Sequence, residues 1–196
     1  MLLIAGHHGA GKTTCLCLLQ QAGFLVFECS KIVKELYEEA KTKKDLWDWI
    51  TETQSTYGDE YLSDRISEQI GQVLIQQQLT HTHLVAISGL RRISLKNNLK
   101  SFLHPNDQIL LVWINVSEDT LYKRYHSRLI SEGQQPVERR DFLELLRREE
   151  QYGLNIPQIK PDVYLDNNGT LEEFQVHVAE FISERVAQCP FGQRSE

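Results

Sequence analysis

Residues 2–24 read LLIAGHHGAGKTTCLCLLQQAGF: an apolar run, a glycine-rich stretch, then apolar residues at helical spacing. The glycines at 6, 9 and 11 constrain this segment more than any other feature of the chain. Glycine reaches backbone angles that other residues avoid, so successive N–H groups can turn inward around an anion. Leu2 to Ala5 suits a buried parallel strand, and Leu16, Leu18 and Leu19 suit the inner face of a helix. A strand, a glycine loop and a helix start make an anion site, because the helix N-terminus carries partial positive charge.

Gly6-His7-His8-Gly9-Ala10-Gly11-Lys12-Thr13 has the spacing G-x-x-x-x-G-K-[ST] of the phosphate-binding P-loop, the Walker A motif. The expected cradle for ATP is Gly6, His8, Gly9, Ala10, Gly11, Lys12, Thr13 and Thr14. Lys12 would reach the outer phosphates, and the Thr13 hydroxyl would ligate Mg2+. His7 and His8, at the loop tip, are either solvated or in contact with substrate, where they would respond to pH.

The 196 residues suffice for one domain with a real core, expected over 1–188 with a loose tail at 189–196. No apolar run approaches the roughly 20 residues needed to cross a membrane. The apolar start belongs to the P-loop strand and follows no basic segment, so a cytoplasmic protein without a membrane partner is expected. Cys15, Cys17, Cys29 and Cys189 show no C-x-x-C spacing and are expected as buried, reduced thiols. The net charge of −6 argues against a protein that coats nucleic acid. Between Arg91 and Arg148, however, eleven lysines and arginines face seven acids. A basic middle in an acidic chain fits a compact, phosphate-rich ligand.

Further short strands are expected at 24–27, 84–87, 109–116 and 163–165. Helices are expected after Ser30 as N-cap, over 45–57, over 59–79, from Ser117 through Leu129, over 139–152 and after Thr170. Thr170 with Glu173 forms a capping box. Strands alternating with helices predict a doubly wound, five-stranded parallel sheet in a three-layer α/β/α sandwich. Ligands of such sheets bind beyond the carboxyl ends of the strands. The segments 6–13, 28–34, 88–92, 117–124 and 166–169 are therefore the places to search.

Ser88-Gly89-Leu90-Arg91-Arg92 follows the third strand, and its arginines suit a second phosphate through their planar forks. Arg124 and Arg128 share a helix face, and the loop after them closes on Arg139-Arg140. An arginine-flanked loop, about 129–140, reads as a lid that delivers cations to a transferring phosphoryl group. Lys31 and Lys34 open the helix after the second strand, and Lys34 is a candidate for an acceptor's phosphate. Trp47, Trp49 and Tyr57 are candidates either for the core or for stacking on a base.

Taken in order, the P-loop, the Ser88-Gly89-Leu90-Arg91 turn, the arginine-flanked loop, SKIVKEL at 30–36 and NNGTLEEF at 167–174 carry a resemblance. The chain resembles the nucleoside-monophosphate-kinase-like P-loop kinases, and more narrowly the archaeal dephospho-CoA-kinase-related, adenylate-kinase-like proteins. The resemblance implies a P-loop NTPase fold and a Mg-ATP-dependent kinase. It implies that Lys12 and Thr13 hold donor phosphates and Mg2+, that Arg91 binds the acceptor, and that Arg124 and Arg128, with Arg139, serve the lid; Lys34, Arg92 and Arg139 are the further candidates for substrate binding.

Two acids usual in such kinases are absent. Ser88 stands where Asp-Gly-x-x-Arg has its Asp, and Ser30, Lys31 and Lys34 stand where Gly-Asp-x-x-Arg is usual. Glu28 is the candidate to replace them. A phosphate acceptor is already ionised near neutral pH and needs positioning rather than a base, whereas a hydroxyl acceptor benefits from one. The expected activity is thus transfer to a nucleoside or deoxynucleoside monophosphate. The alternatives are a dephospho-CoA-type or nucleic-acid-base hydroxyl kinase, or an ATP- or GTP-binding switch, although no Asn-Lys-x-Asp guanine-reading motif is present. The expected partner is a nucleotide-like small molecule, with nucleic acid disfavoured by charge and the chain a monomer or homodimer.

Overall fold

The computed structural model describes residues 1–77, 84–89, 92–103, 107–151 and 160–188. Five strands form the sheet: β1 (Leu2–Ala5), β2 (Leu25–Glu28), β3 (Val85–Ser88), β4 (Leu110–Asn115) and β5 (Val163–Asp166). Their order is β2-β3-β1-β4-β5 and every neighbouring pair is parallel. Parallel neighbours require crossovers, which the helices supply. They are α1 (Lys12–Gln21), α2 (Cys29–Glu39), α3 (Leu46–Tyr57), α4 (Tyr61–Gln76), α5 (Ile93–Leu99), α6 (Glu118–Ser131), α7 (Arg139–Gln151) and α8 (Leu171–Gln188).

Alternation along the strands divides the core in two. Leu3, Ala5, Val85, Ile87, Leu111 and Trp113 face one way, onto Ile32 and Leu36 of α2, Trp49 of α3, Ile66 and Ile70 of α4 and Leu95 of α5. Leu2, Ile4, Ala86, Val112, Ile114 and Leu165 face the other, onto Leu16 and Leu19 of α1, Leu121 of α6, Phe142 of α7 and Phe174 of α8. A sheet covered on both faces explains why its strands read as continuous apolar runs. The expected three-layer, doubly wound fold is the one observed.

Local signals place most helix ends. Ser117 Oγ accepts the Thr120 N–H, so α6 starts where the sequence predicts. The Thr170 box closes in both directions: Thr170 N–H donates to Glu173 Oε2 at 2.8 Å, and Glu173 N–H donates to Thr170 Oγ1 at 3.2 Å. Asp45 caps α3 by accepting from the Trp47 and Asp48 N–H groups, which holds its carboxyl below the usual range.

Two expectations are corrected. Ser30 is not an N-cap, because α2 already begins at Cys29 with Glu28 before it, and the Ser30 hydroxyl turns back to Glu28 Oε1. Helix α5 has no counterpart among the expected elements. It is seven residues long and buries only Leu95 and Leu99, one i,i+4 pair, too little repeat for a period to register.

Candidate active site

The P-loop leaves β1 at the sheet's centre and enters α1. Gly6, Gly9 and Gly11 have φ of 154°, 82° and 96°, each in the positive region. At Gly11 a Cβ would stand 2.5 Å from Asn167 Nδ2, so space as well as backbone angle demands glycine there. That Nδ2 donates to the Ala10 carbonyl at 2.8 Å, a buried bond that ties the loop after β5 to the P-loop. Among the described residues no side chain caps α1, and its first turn carries no acid. The leading N–H groups of α1 thus carry no side-chain cap, as in an anion site.

Lys12 Nζ donates to the carbonyls of Gly6 and His7, both at 2.8 Å. The ammonium is therefore held against the first half of the loop. The Thr13 hydroxyl, at the start of α1, donates to Glu28 Oε1 at 3.5 Å. Glu28 is the last residue of β2 and pairs in register with Ser88. Its other oxygen holds Lys31 Nζ at 2.9 Å, which raises the lysine's pKa through the hydrogen bond and the carboxylate's charge. Where the sequence lacks an acid at 31 and at 88, the fold brings one in from position 28. A hydroxyl and a carboxylate are hard oxygen donors of the kind Mg2+ takes, and a glycine cradle accommodates phosphate, so the residues fit both expected groups.

A cavity of about 660 Å³ opens from the loop, lined there by His8, Gly9, Gly11, Lys12, Thr13 and Thr14. Helices α2 to α5 add apolar lining: Val33 of α2, Leu46, Trp47 and Ile50 of α3, Leu62 and Ile66 of α4, and Leu95 of α5. Polar residues in its lining include Lys34, Gln54, Asp59, Ser63, Ser88 and Arg92. Arg92 Nη1 lies 3.4 Å from Asp59 Oδ2, while its Nε is buried without a hydrogen-bond partner among the described residues. Trp47 is 47% exposed and faces this space, whereas Trp49 is in the core and Tyr57 stacks on Tyr61. Trp49 thus takes the core role and Trp47 stands where the stacking role would require, while Tyr57, 66% exposed and away from the cavity lining, takes neither of the roles expected for it.

The expected lid arginines also divide. Arg128 lines the cavity, meets His8 Nε2, and lies over the Tyr125 ring at 5.3 Å. Arg124 Nη2 instead donates to Asn167 Oδ1 at 3.3 Å and to the Gly169 carbonyl at 3.2 Å. Arg139 pairs with Glu118 at 2.7 Å and Asp119 at 2.6 Å, so the acids at the start of α6 claim it. Neither Arg124 nor Arg139 lines the cavity. Arg91, Cys189 and Tyr152 lie outside the described residues.

Two functional candidates were not legible in the sequence. Asn167 lies in segment 166–169, which its place after the fifth strand and the resemblance both marked, but neither singled out its side chain. Glu149, on α7, is 2% exposed, accepts the His8 N–H at 2.9 Å and lies 3.5 Å from His7 Nδ1. His7 also meets Trp113 edge to face, so neither loop-tip histidine is merely solvated. A buried acid in a charged helix carries no local sign of its long-range partner.

No protein-family model matches this chain. A UPF0200 protein of Saccharolobus islandicus is 28% identical over 191 residues, spanning 95% of this chain and 93% of the relative. Among solved structures, shikimate kinase from Bacteroides thetaiotaomicron superposes with a TM-score of 0.56 at 14% identity, over 93% of this chain and 96% of that one. A gluconokinase from Sinorhizobium meliloti superposes at 0.52 with 16% identity, over 96% of each. Among the described residues no helix is long and apolar enough to cross a membrane. The strand order, the loop after β1 and these likenesses together give the chain the P-loop kinase fold.

Proposed function

We propose that this chain is an ATP-dependent phosphotransferase whose acceptor is a nucleoside or deoxynucleoside monophosphate. The observation that carries the reading is the single cavity shared by the P-loop and an apolar wall. Lys12 and Thr13 share its lining with Trp47, Ile50, Leu62 and Ile66 and with the cations Lys34 and Arg92. A base has flat apolar faces that suit such a wall. Its phosphate suits cations, and Arg92 has an unsatisfied Nε to offer. The adjacent Arg91 is assigned to the same phosphate on its place in the sequence. The solved kinases that share the fold, and the resemblance read from the sequence, support phosphoryl transfer as the reaction class.

In the proposed reaction an oxygen of the acceptor phosphate bonds to the outermost phosphorus of ATP. The bond from that phosphorus to its bridging oxygen breaks, and ADP leaves with the electron pair. Lys12 exchanges the Gly6 and His7 carbonyls for phosphate oxygens, a short shift that keeps its charge beside the loop. Arg128 stands at the same lip to receive charge as it spreads over the transferring oxygens. Thr13 and Glu28 would hold Mg2+, which when bound neutralises phosphate charge and orients the donor. Glu28 thereby serves the donor side, and Ser88 leaves the acceptor side without a base, as an ionised acceptor allows.

The test is acceptor-dependent ADP release with Mg-ATP across nucleoside monophosphates and dephospho-CoA, with Lys12→Ala as the blank. Stimulation by a monophosphate, lost in the variant, is expected. Stimulation by dephospho-CoA alone would reassign Glu28 as a base for a hydroxyl acceptor. Tight ATP binding without stimulation by any acceptor would leave a nucleotide-binding switch.

A further inference from the structure

Of the three lid arginines, Arg124 is held by Asn167 and Gly169, Arg139 is held by Glu118 and Asp119, and Arg128 alone lines the cavity. An arginine side chain is long, and fixing it costs rotamer freedom. The Arg128 side chain is 44% exposed, and Glu132 on the same helix stands 3.7 Å from its Nε. An exposed pair of that kind is too weak to turn the guanidinium toward the P-loop. Two rings hold it there. The guanidinium carbon lies 5.3 Å from the Tyr125 ring centroid, and Nη2 meets His8 Nε2. The His8 ring meets the same Tyr125 ring edge to face, with centroids 5.3 Å apart. His8 lines the cavity too, and its backbone is fixed by the N–H bond to Glu149.

Arginine has five N–H donors and no acceptor, and it keeps its charge. The contact is therefore a hydrogen bond only when His8 Nε2 holds a lone pair. That puts the single proton of a neutral imidazole on Nδ1. A protonated His8 would set two cations against each other. The charged and titratable groups about the pair are Tyr125 and Glu132 of α6, Glu149 of α7, and His7 and Lys12 of the loop itself. One N–H given to His8 leaves Arg128 others for a phosphate oxygen, so the pair survives the entry of a nucleotide.

We propose that His8 is a positioning residue for phosphoryl transfer: its neutral imidazole accepts from Arg128 at Nε2 and holds the guanidinium in the cavity beside the P-loop. The proposal rests on the kinase reading above. The spacing G-x-x-x-x-G-K-[ST] leaves position 8 open, so the task belongs to this chain's own residue. Protonation of His8 releases Arg128, and transfer falls. The loop's hold on the nucleotide, made by backbone N–H groups and Lys12, stays as it was.

The experiment compares steady-state transfer by the full wild-type chain, His8→Leu, His8→Gln, Arg128→Ala and the double variant His8→Leu/Arg128→Ala, between about pH 5 and 8. His8→Leu is expected to lower kcat about tenfold or more, with the KM for ATP within about twofold. The double variant should be no slower than Arg128→Ala, because His8 acts through that arginine. Glutamine supplies an acceptor oxygen that does not titrate, so His8→Gln should recover much of the loss. The ratio of wild-type to His8→Gln rates should fall as pH drops. The acceptor's own phosphate, with a second pKa of ~6, affects both chains alike and cancels in that ratio. Nitrogen-15 NMR of the histidines reads the pair without substrate: at neutral pH His8 should carry its proton on Nδ1, and Arg128→Ala should abolish that preference. Losses that add in the double variant, a ratio flat with pH, a rise in the KM for ATP alone, or a His8 proton on Nε2 would each overturn the role of His8 and leave transfer standing. A wild-type chain that transfers to no acceptor would overturn the function proposed above and this role with it.

Discussion

Glu28 Oε1 lies 3.5 Å from Thr13 Oγ1, joining the end of β2 to the start of α1 across fifteen residues. The same carboxylate holds Lys31 and Ser30, so it is positioned from both sides before any ligand arrives. Glu28→Gln keeps the shape and removes the charge. Phosphoryl transfer is expected to fall roughly 10- to 100-fold at limiting Mg2+, with partial recovery at high Mg2+. Nucleotide affinity without Mg2+ should stay as it was. A Mg2+ titration of initial rates checks this, and an unchanged Mg2+ dependence would remove Glu28 from the metal site.

The acceptor wall makes a separate prediction. Trp47→Leu shortens the apolar face, and Arg92→Lys replaces a fork by a point charge. Both are expected to raise the acceptor KM about tenfold while leaving the KM for ATP within about twofold, because neither group adjoins the P-loop's N–H donors. Steady-state kinetics with each substrate varied in turn would separate the two. A rise confined to ATP would place the acceptor elsewhere.

Asn167 braces the P-loop from 157 residues away through its buried bond to the Ala10 carbonyl. Asn167→Ala leaves that carbonyl without its buried donor and deprives Arg124 of an acceptor. The expected cost is about 1 to 3 kcal/mol, or a fall in Tm of ~2–4 °C for each kcal/mol in a chain of this size. Thermal and urea unfolding measure it. Unchanged stability would show that loop 166–169 is held by its backbone and not by this side chain.

Burial pushes the Cys15 thiol up to about 12 from an ordinary 9.0. The unfolded chain therefore releases that proton first as pH rises. Cys15 contributes fully below pH 9.0 and its contribution is lost as pH climbs toward 12, so stability should decline across that window. Cys29 is buried as expected, but Cys17, two residues on and on the opposite side of α1, is exposed, which corrects the expectation of a buried thiol there. At neutral pH a thiol reagent should modify Cys17 in the folded protein and leave Cys15 and Cys29 protected, as peptide mass mapping would read. Equal labelling of Cys15 would contradict its burial.

Much of this protein was determined by sequence alone because its signals are local. The apolar run, glycines and Lys12-Thr13 occupy adjacent positions, so the P-loop and its flanking strand and helix need no distant partner. The same holds for the Ser117 cap and the Thr170 box, whose bonds span three residues. The doubly wound sheet followed from strands that must be apolar throughout because helices cover both faces. Only the tertiary structure decided which charged groups meet. It brought Glu28 to Thr13, Glu149 to His8 and Asn167 to Ala10, and it gave Arg139 to Glu118 and Asp119. Charge and hydrogen-bonding capacity read the same in the sequence whether a side chain faces water, a neighbour or a ligand. The crossovers that fold α7 and the β5 loop back onto β1 set those pairings, and no periodicity in the chain encodes them.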